Sequence, residues 1–393
     1  MSIYTQHGYG KGDKINKGLQ NDLVSGVILS PKDESPDTLS SYITDLRQNY
    51  SSSKILLDPQ FYVATISPVI DGHLPEYEGY YHPNLTRTDF SPANIQRYVE
   101  ECINYQISLN LDRIISPTVS FDDFKDTWSQ ISIFLAQQSL QYYNTLNDKP
   151  PLLIALVFSE NALKGEDMNE FLNIITTFNA KGFYIIVNRN LRQYQQQIEP
   201  EILENFLHFT YILSVINNFE VILGYTDLVG IPLHVSGAMA TACGWFSNLR
   251  QFSLSRFQPT SGGRTPRPRY TSIPLLNSIL VVPEMDSIRR AGMLREIITS
   301  TSYDAGMKTN PVDNPWPPEI SCLHHWESLR NVINHIESLP DIRSKLAWIK
   351  SRIERANLLY NSLSQRGVAF ETGFSHLQQW MQAITGFRNR LGI

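Results

Sequence analysis

The sequence predicts an α/β protein, most simply a TIM-like (β/α)8 barrel followed by a C-terminal helical extension. Eight short apolar runs, rich in β-branched residues, recur over the first two thirds of the chain. Most are separated by segments with helical periodicity, and each ends in small, polar or acidic residues. Alternation of strand and helix implies a parallel sheet, and eight strands suggest closure into a barrel. An open doubly wound α/β sheet is the alternative fold.

The runs are Gly26 to Leu29, Lys54 to Leu57, Arg113 to Ile115, Leu152 to Phe158, Phe183 to Val187, Val221 to Tyr225, Ile231 to Val235 and Phe252 to Leu254. Helical spacing fills Asp37 to Tyr50, Pro92 to Ile107, Asp123 to Leu146, Glu166 to Asn179 and Pro200 to Asn217. Between the sixth and seventh runs either a helix is lost or one of the two runs is not a barrel strand. Only Thr226 to Gly230 lie between those runs, and a parallel crossover needs a dozen or more residues.

Pro259 to Ser272 reads as a loop, and beyond about residue 282 no strand is required. Helical spacing returns in Pro283 to Ser300, Glu319 to Ser338, Ile342 to Leu363 and Phe370 to Phe387, with Pro311 to Pro318 as a stiff connection. This divides the chain into a barrel, residues 1–282, and a helical extension, 283–393, packed on the barrel or on a protein partner through residues 319–390. Leu329, Val332, Ile333, Ile336 and Leu339 form an apolar stripe there, which is usually core and sometimes an interface.

Composition narrows the function classes. With 42% hydrophobic and 11% aromatic residues the chain has material for a large core. A net charge of −5 gives no global electrostatic case for nucleic acid or an anionic membrane, so an anion site must be local. The three cysteines, Cys102, Cys243 and Cys322, are far apart and without zinc-like spacing, as reduced thiols would be. The N-terminus lacks a signal-peptide core, and the most apolar stretch, Leu207 to Leu223, is broken by His208, Asn217, Asn218 and Glu220. A soluble cytoplasmic protein is the expectation.

In parallel α/β folds the ligand site lies beyond the carboxyl ends of the strands. Asp58 follows Lys54-Ile-Leu-Leu directly and precedes Pro59, which would aim a carboxylate into the mouth as a general base; it could equally close a turn. Glu160 ends the apolar run LLIALVFSE, where burial would raise its pKa and let it donate a proton; it could also begin a helix. Asp227 and His234 could pair across the mouth, Asp orienting the imidazole, although a lone strand histidine is more often a hydrogen-bonded core residue.

Ser236 and Gly237, in SGAMATA, would let backbone amides approach a phosphate, or serve only tight packing. Arg256 to Arg269 holds Arg256, Arg264, Arg267 and Arg269 with the pair Gly262 and Gly263. Such an arginine-rich loop after a last strand suits capture of phosphate or carboxylate, or else is exposed and flexible. Trp245, Phe246, Tyr225 and Tyr270 flank it and could stack on a base. No cofactor is predicted; a carboxylate-held Mg2+ at Asp58 or Asp227 stays open.

The functional expectation is a hydrolase or transferase acting on a phosphorylated, nucleotide-like or nucleic-acid-derived substrate. Asp58, Glu160, Asp227 and His234 would move protons; Ser236, Gly237, Arg256, Gly262, Gly263 and Arg264 would bind phosphate. The alternative is a non-catalytic barrel subunit that docks a protein partner through its C-terminal helices within a bacterial multi-protein system.

Overall fold

The computed structural model describes residues 3–189, 194, 196–259, 267–308 and 316–393. Eight parallel strands form a nearly closed barrel: β1 (Ile3–Gln6), β2 (Gly26–Leu29), β3 (Lys54–Leu57), β4 (Ile114–Ile115), β5 (Leu152–Ser159), β6 (Gly182–Asn188), β7 (Glu220–Leu223) and β8 (Ala240–Cys243). The hydrogen-bonded order is β3-β2-β1-β8-β7-β6-β5-β4, with Ser120–Phe121 as a short addition beside β5. Between β3 and β4, Asp112 bridges the seam: its N–H donates to the Ile55 carbonyl at 3.0 Å and its Oδ2 accepts from the Ile55 N–H at 2.9 Å.

Each strand is followed by a helix. These are α1 (Lys14–Gln20), α2 (Pro36–Asn49), α3 (Pro92–Ser108), α4 (Thr127–Thr145), α5 (Met168–Ile175), α6 (Pro200–Tyr211), α7 (Gly230–Val235) and α8 (Pro318–Ser338). Their starts are written locally. Ser35, Ser91 and Asp126 cap α2, α3 and α4 through their side chains, and proline opens α2, α3 and α6.

Two of the strands expected from sequence are not strands. Ile231 to Val235 lies in α7, the crossover helix, so the short connection after β7 is an ordinary strand-to-helix loop. Phe252 to Leu254 is a loop leading into a 3-10 turn, Leu254–Phe257. The true first and eighth strands are IYTQ and ATAC, the one half polar and the other built of small residues.

The C-terminal third begins by completing the barrel. Helix α8 packs between α7 and α1, where the eighth helix of a (β/α)8 barrel belongs. Its apolar stripe Leu329, Val332, Ile333 and Ile336 is buried within the chain. Between β8 and α8 the chain inserts an antiparallel hairpin, β9 (Arg269–Ser272) and β10 (Asn277–Leu280), and short helices at Asp286–Arg290 and Leu294–Ile297. Two further helices, α9 (Ile342–Gln365) and α10 (His376–Arg390), pack on each other and on α7 and α6. Among the described residues no helix is long and apolar enough to cross a membrane.

Candidate functional site at the barrel mouth

The ends of β1, β2, β3 and β6 converge on Asp58. Its side chain is buried: Oδ1 accepts from the Gln60 N–H at 3.1 Å, and Oδ2 accepts from the Tyr62 hydroxyl at 3.0 Å and the Tyr184 hydroxyl at 3.4 Å. Burial pushes this carboxyl up to about 6, against the Gln60 N–H, the Tyr62 hydroxyl and the Arg256 charge, which favour the ionised form. Gln60, in the left-handed region at φ 54°, turns its amide to link Ser30 and the Lys32 N–H at 2.9 and 3.0 Å. Gly224 is required nearby, since a Cβ would meet the Tyr184 hydroxyl at 2.7 Å.

Arg256 covers this cluster. Its Nη2 pairs with Asp33 at 3.1 Å, and its guanidinium lies 5.4 Å from the Tyr225 ring centre and 5.1 Å from that of Phe257. Phe252, Phe257 and Tyr62 pack edge to face or tilted above the carboxylate. Arg256 Nη1, the Tyr225 hydroxyl and Gln6 Nε2 are buried there without hydrogen bonds. Arg256 therefore serves an ion pair and an aromatic cover; in this conformation it is not presented to solvent as a phosphate ligand.

The other carboxylates sit farther round the mouth. Glu160 pairs with Arg189 Nε at 3.1 Å, so its neighbour is a guanidinium instead of the apolar wall that the sequence suggested. Asp227 Oδ2 accepts from Gln196 Nε2 at 2.9 Å, and its Oδ1 lies 3.4 Å from His325 Nε2 without hydrogen-bond geometry. His325 Nδ1 meets the Thr271 hydroxyl at 2.8 Å. Burial, then the Arg250 charge, lowers His325 well below the usual imidazole range, so it is neutral.

An arginine-lined pocket opens beside Asp227, at the carboxyl end of β8. Arg250, Arg267 and Arg269 line it together with Tyr194, Trp245 and Phe246, and Pro318 and Ser321 bring the first turn of α8 to its wall. The Arg269 guanidinium lies 4.5 Å from the Tyr194 ring centre and that of Arg250 5.8 Å. Arg250 is buried and anchored by Nε donation to the Gly244 carbonyl at 2.9 Å, whereas Arg267 is half exposed and pairs with Glu371. Burial works against the Arg250 charge, but Asp227 and Tyr194 outweigh it. The free volume is about 20 Å3, one water's worth, so a ligand enters only if a side chain such as Arg267 swings aside.

Three expected site residues lie at the opposite end of the barrel. His234 is on α7, Ser236 and Gly237 join α7 to β8, and Met239 already pairs with Val221 at the start of β7. His234 contacts the Thr241 hydroxyl at 3.3 Å and burial lowers it to about 3, so the Asp227–His234 pair does not form. The Ser236 hydroxyl is spent on the Leu233 carbonyl. Gly237 has φ 104°, and a Cβ there would meet Ser214 Oγ and Val215 Cγ2 at 2.6 Å: packing, not phosphate, explains its small size. Gly262, Gly263 and Arg264 lie outside the described residues.

Sequence reasoning missed Gln60, Tyr62, Tyr184, Gln196, Arg250 and His325 as partners of these acids. Tyr62 and Gln60 stood within four residues of Asp58 and were legible in principle; His325, on a helix nearly a hundred residues from Asp227, was not. Among the described residues no group of three or more His, Cys, Asp or Glu side chains could hold a metal ion. Neither a protein-family model nor a curated protein matches the sequence.

Proposed function

We propose that the chain is a hydrolase or transferase whose barrel mouth holds a phosphorylated, nucleotide-like ligand. The observation that carries this reading is the meeting of Arg250, Arg267 and Arg269 with the rings of Tyr194, Trp245 and Phe246 at the end of β8. Guanidinium groups take phosphate oxygens in bidentate fashion, and aromatic faces take a base. The end of the eighth strand and the start of a following helix are where barrels of this class commonly hold phosphate.

In this reading Asp58 is the acid-base group, reached when Arg256 and its aromatic cover move aside. A carboxyl held at about 6 is divided between its two forms near neutrality, as general catalysis requires. The Asp227 charge favours the charged form of Arg250, and Glu160 pairs with Arg189.

A thermal-shift screen of nucleoside mono- and diphosphates, sugar phosphates and inorganic phosphate tests the reading, because a ligand that binds only the folded state raises Tm. Stabilisation by a nucleotide, absent in Arg267→Ala, is the predicted result. No shift with any phosphorylated compound in the folded wild type would overturn it.

A further inference from the structure

We infer that a cleft between α8 and α9, separate from the barrel mouth, is a binding site for a small organic carboxylate. Its volume is about 280 Å3, at the small end of ligand pockets, which suits a metabolite of modest size. Its lining combines apolar Ile273, Ile298 and Val332 with polar side chains, among them Asn331, His335 and Arg352. That mixture suits an acid with an apolar body and a charged head.

One charged group in the cleft awaits a partner. Arg352 is half-buried, and among the described residues it forms no ion pair. Burial, with a contribution from Arg355, lowers its affinity for its proton, as it does for a cation without a counter-ion. The indole Nε1–H of Trp348 is buried without a hydrogen bond. A guanidinium taken partly out of water without a counter-ion is unfavourable, so a carboxylate that answers it recovers that loss.

The Trp348 ring flanks the guanidinium. The Arg352 guanidinium rests 5.3 Å from the centre of the Trp348 ring, and His335 packs on the same ring with centroids 5.4 Å apart. A guanidinium held beside a ring in this way can still take the two oxygens of a carboxylate. The ligand's body then lies along Ile273 and Val332.

Calorimetric titration with monocarboxylates from acetate to benzoate tests the site on the full chain. Wild type is predicted to bind at least one of them with saturation, at about 1 mM or tighter. Arg352→Gln should weaken that binding tenfold or more while leaving Tm unchanged or raised, since it removes an unneutralised charge. Trp348→Phe should weaken it less, and Arg267→Ala at the barrel mouth not at all. The inference is overturned if no carboxylate of the series saturates wild type, if Arg352→Gln binds as well as wild type, or if Arg267→Ala abolishes the binding.

Discussion

The two halves of the barrel mouth are built from similar residues and do opposite things with them. On the β1–β3 side an acid, an arginine and several aromatic rings close together: the side chains of Asp58 and Arg256 are both buried, among Tyr62, Tyr225, Phe252 and Phe257. On the β8 side arginines and rings also meet, Arg269 lying 4.5 Å from the Tyr194 ring centre, but Arg267 is half exposed. The difference shows that an arginine at a strand end is not by itself an anion site. What matters is whether its charge is already answered, by Asp33 for Arg256, or only partly so.

The largest effect should come from the closed half. Because burial raises Asp58 from its ordinary value to about 6, its favourable contribution is complete below the unfolded value of 3.8 and is lost as pH rises through about 6. Asp58→Asn should therefore be more stable than wild type at pH 8, by up to about 3 kcal/mol, and the advantage should vanish at pH 4. Denaturant unfolding at both pH values checks this; a difference independent of pH would contradict it.

Next in size is a test of the opposite face. Gly237→Ala forces a side chain into a backbone at φ 104° and against Ser214 and Val215, and should cost about 2 kcal/mol. Nucleotide binding at the mouth should be unaffected; loss of binding in a folded variant would return Gly237 to the site.

The buried histidines give the third. Burial lowers His234 to about 3 and His324 and His376 to about 4, so each resists protonation when folded. Their contribution is complete above the unfolded value of 6.5 and is lost as pH falls toward those folded values. Each costs up to about 1.4 kcal/mol per pH unit on the way. His376→Gln, which keeps a donor for the Leu276 carbonyl, should flatten the slope between pH 6 and 5 by that amount, as pH-dependent unfolding would show.

The smallest effect is on the open half. Arg267 and Glu371 are both more than half exposed, so Arg267→Ala should change stability by less than about 1 kcal/mol. A larger loss by thermal unfolding would mean that the arginine is structural and the two halves are alike.

The fold was legible in the sequence because most strands are buried on both faces and read as apolar runs, such as Leu152 to Ser159. The end strands were not, because Thr5 and Gln6 in β1 and the small residues of β8 lack that signature. The apolar, β-branched segment Ile231 to Val235 imitated a strand, and only its tertiary place as a crossover helix corrects it. The same error carried His234, Ser236 and Gly237 to the wrong end of the barrel. Asp58 and Glu160 were found because they directly follow β3 and β5, and Asp227 because it lies in the loop after β7. Gln60 and Tyr62 lie close to Asp58 in sequence, but Tyr184 and His325 come from distant segments, and no local pattern announces such a meeting.

The most direct measurement is calorimetric titration of a nucleoside monophosphate into wild type, Arg267→Ala and Ser236→Ala. The account predicts tight saturable binding in wild type and in Ser236→Ala, and a loss of tenfold or more in Arg267→Ala. Binding that survives Arg267→Ala but is lost in Ser236→Ala would place the anion site at the other end of the barrel and contradict it.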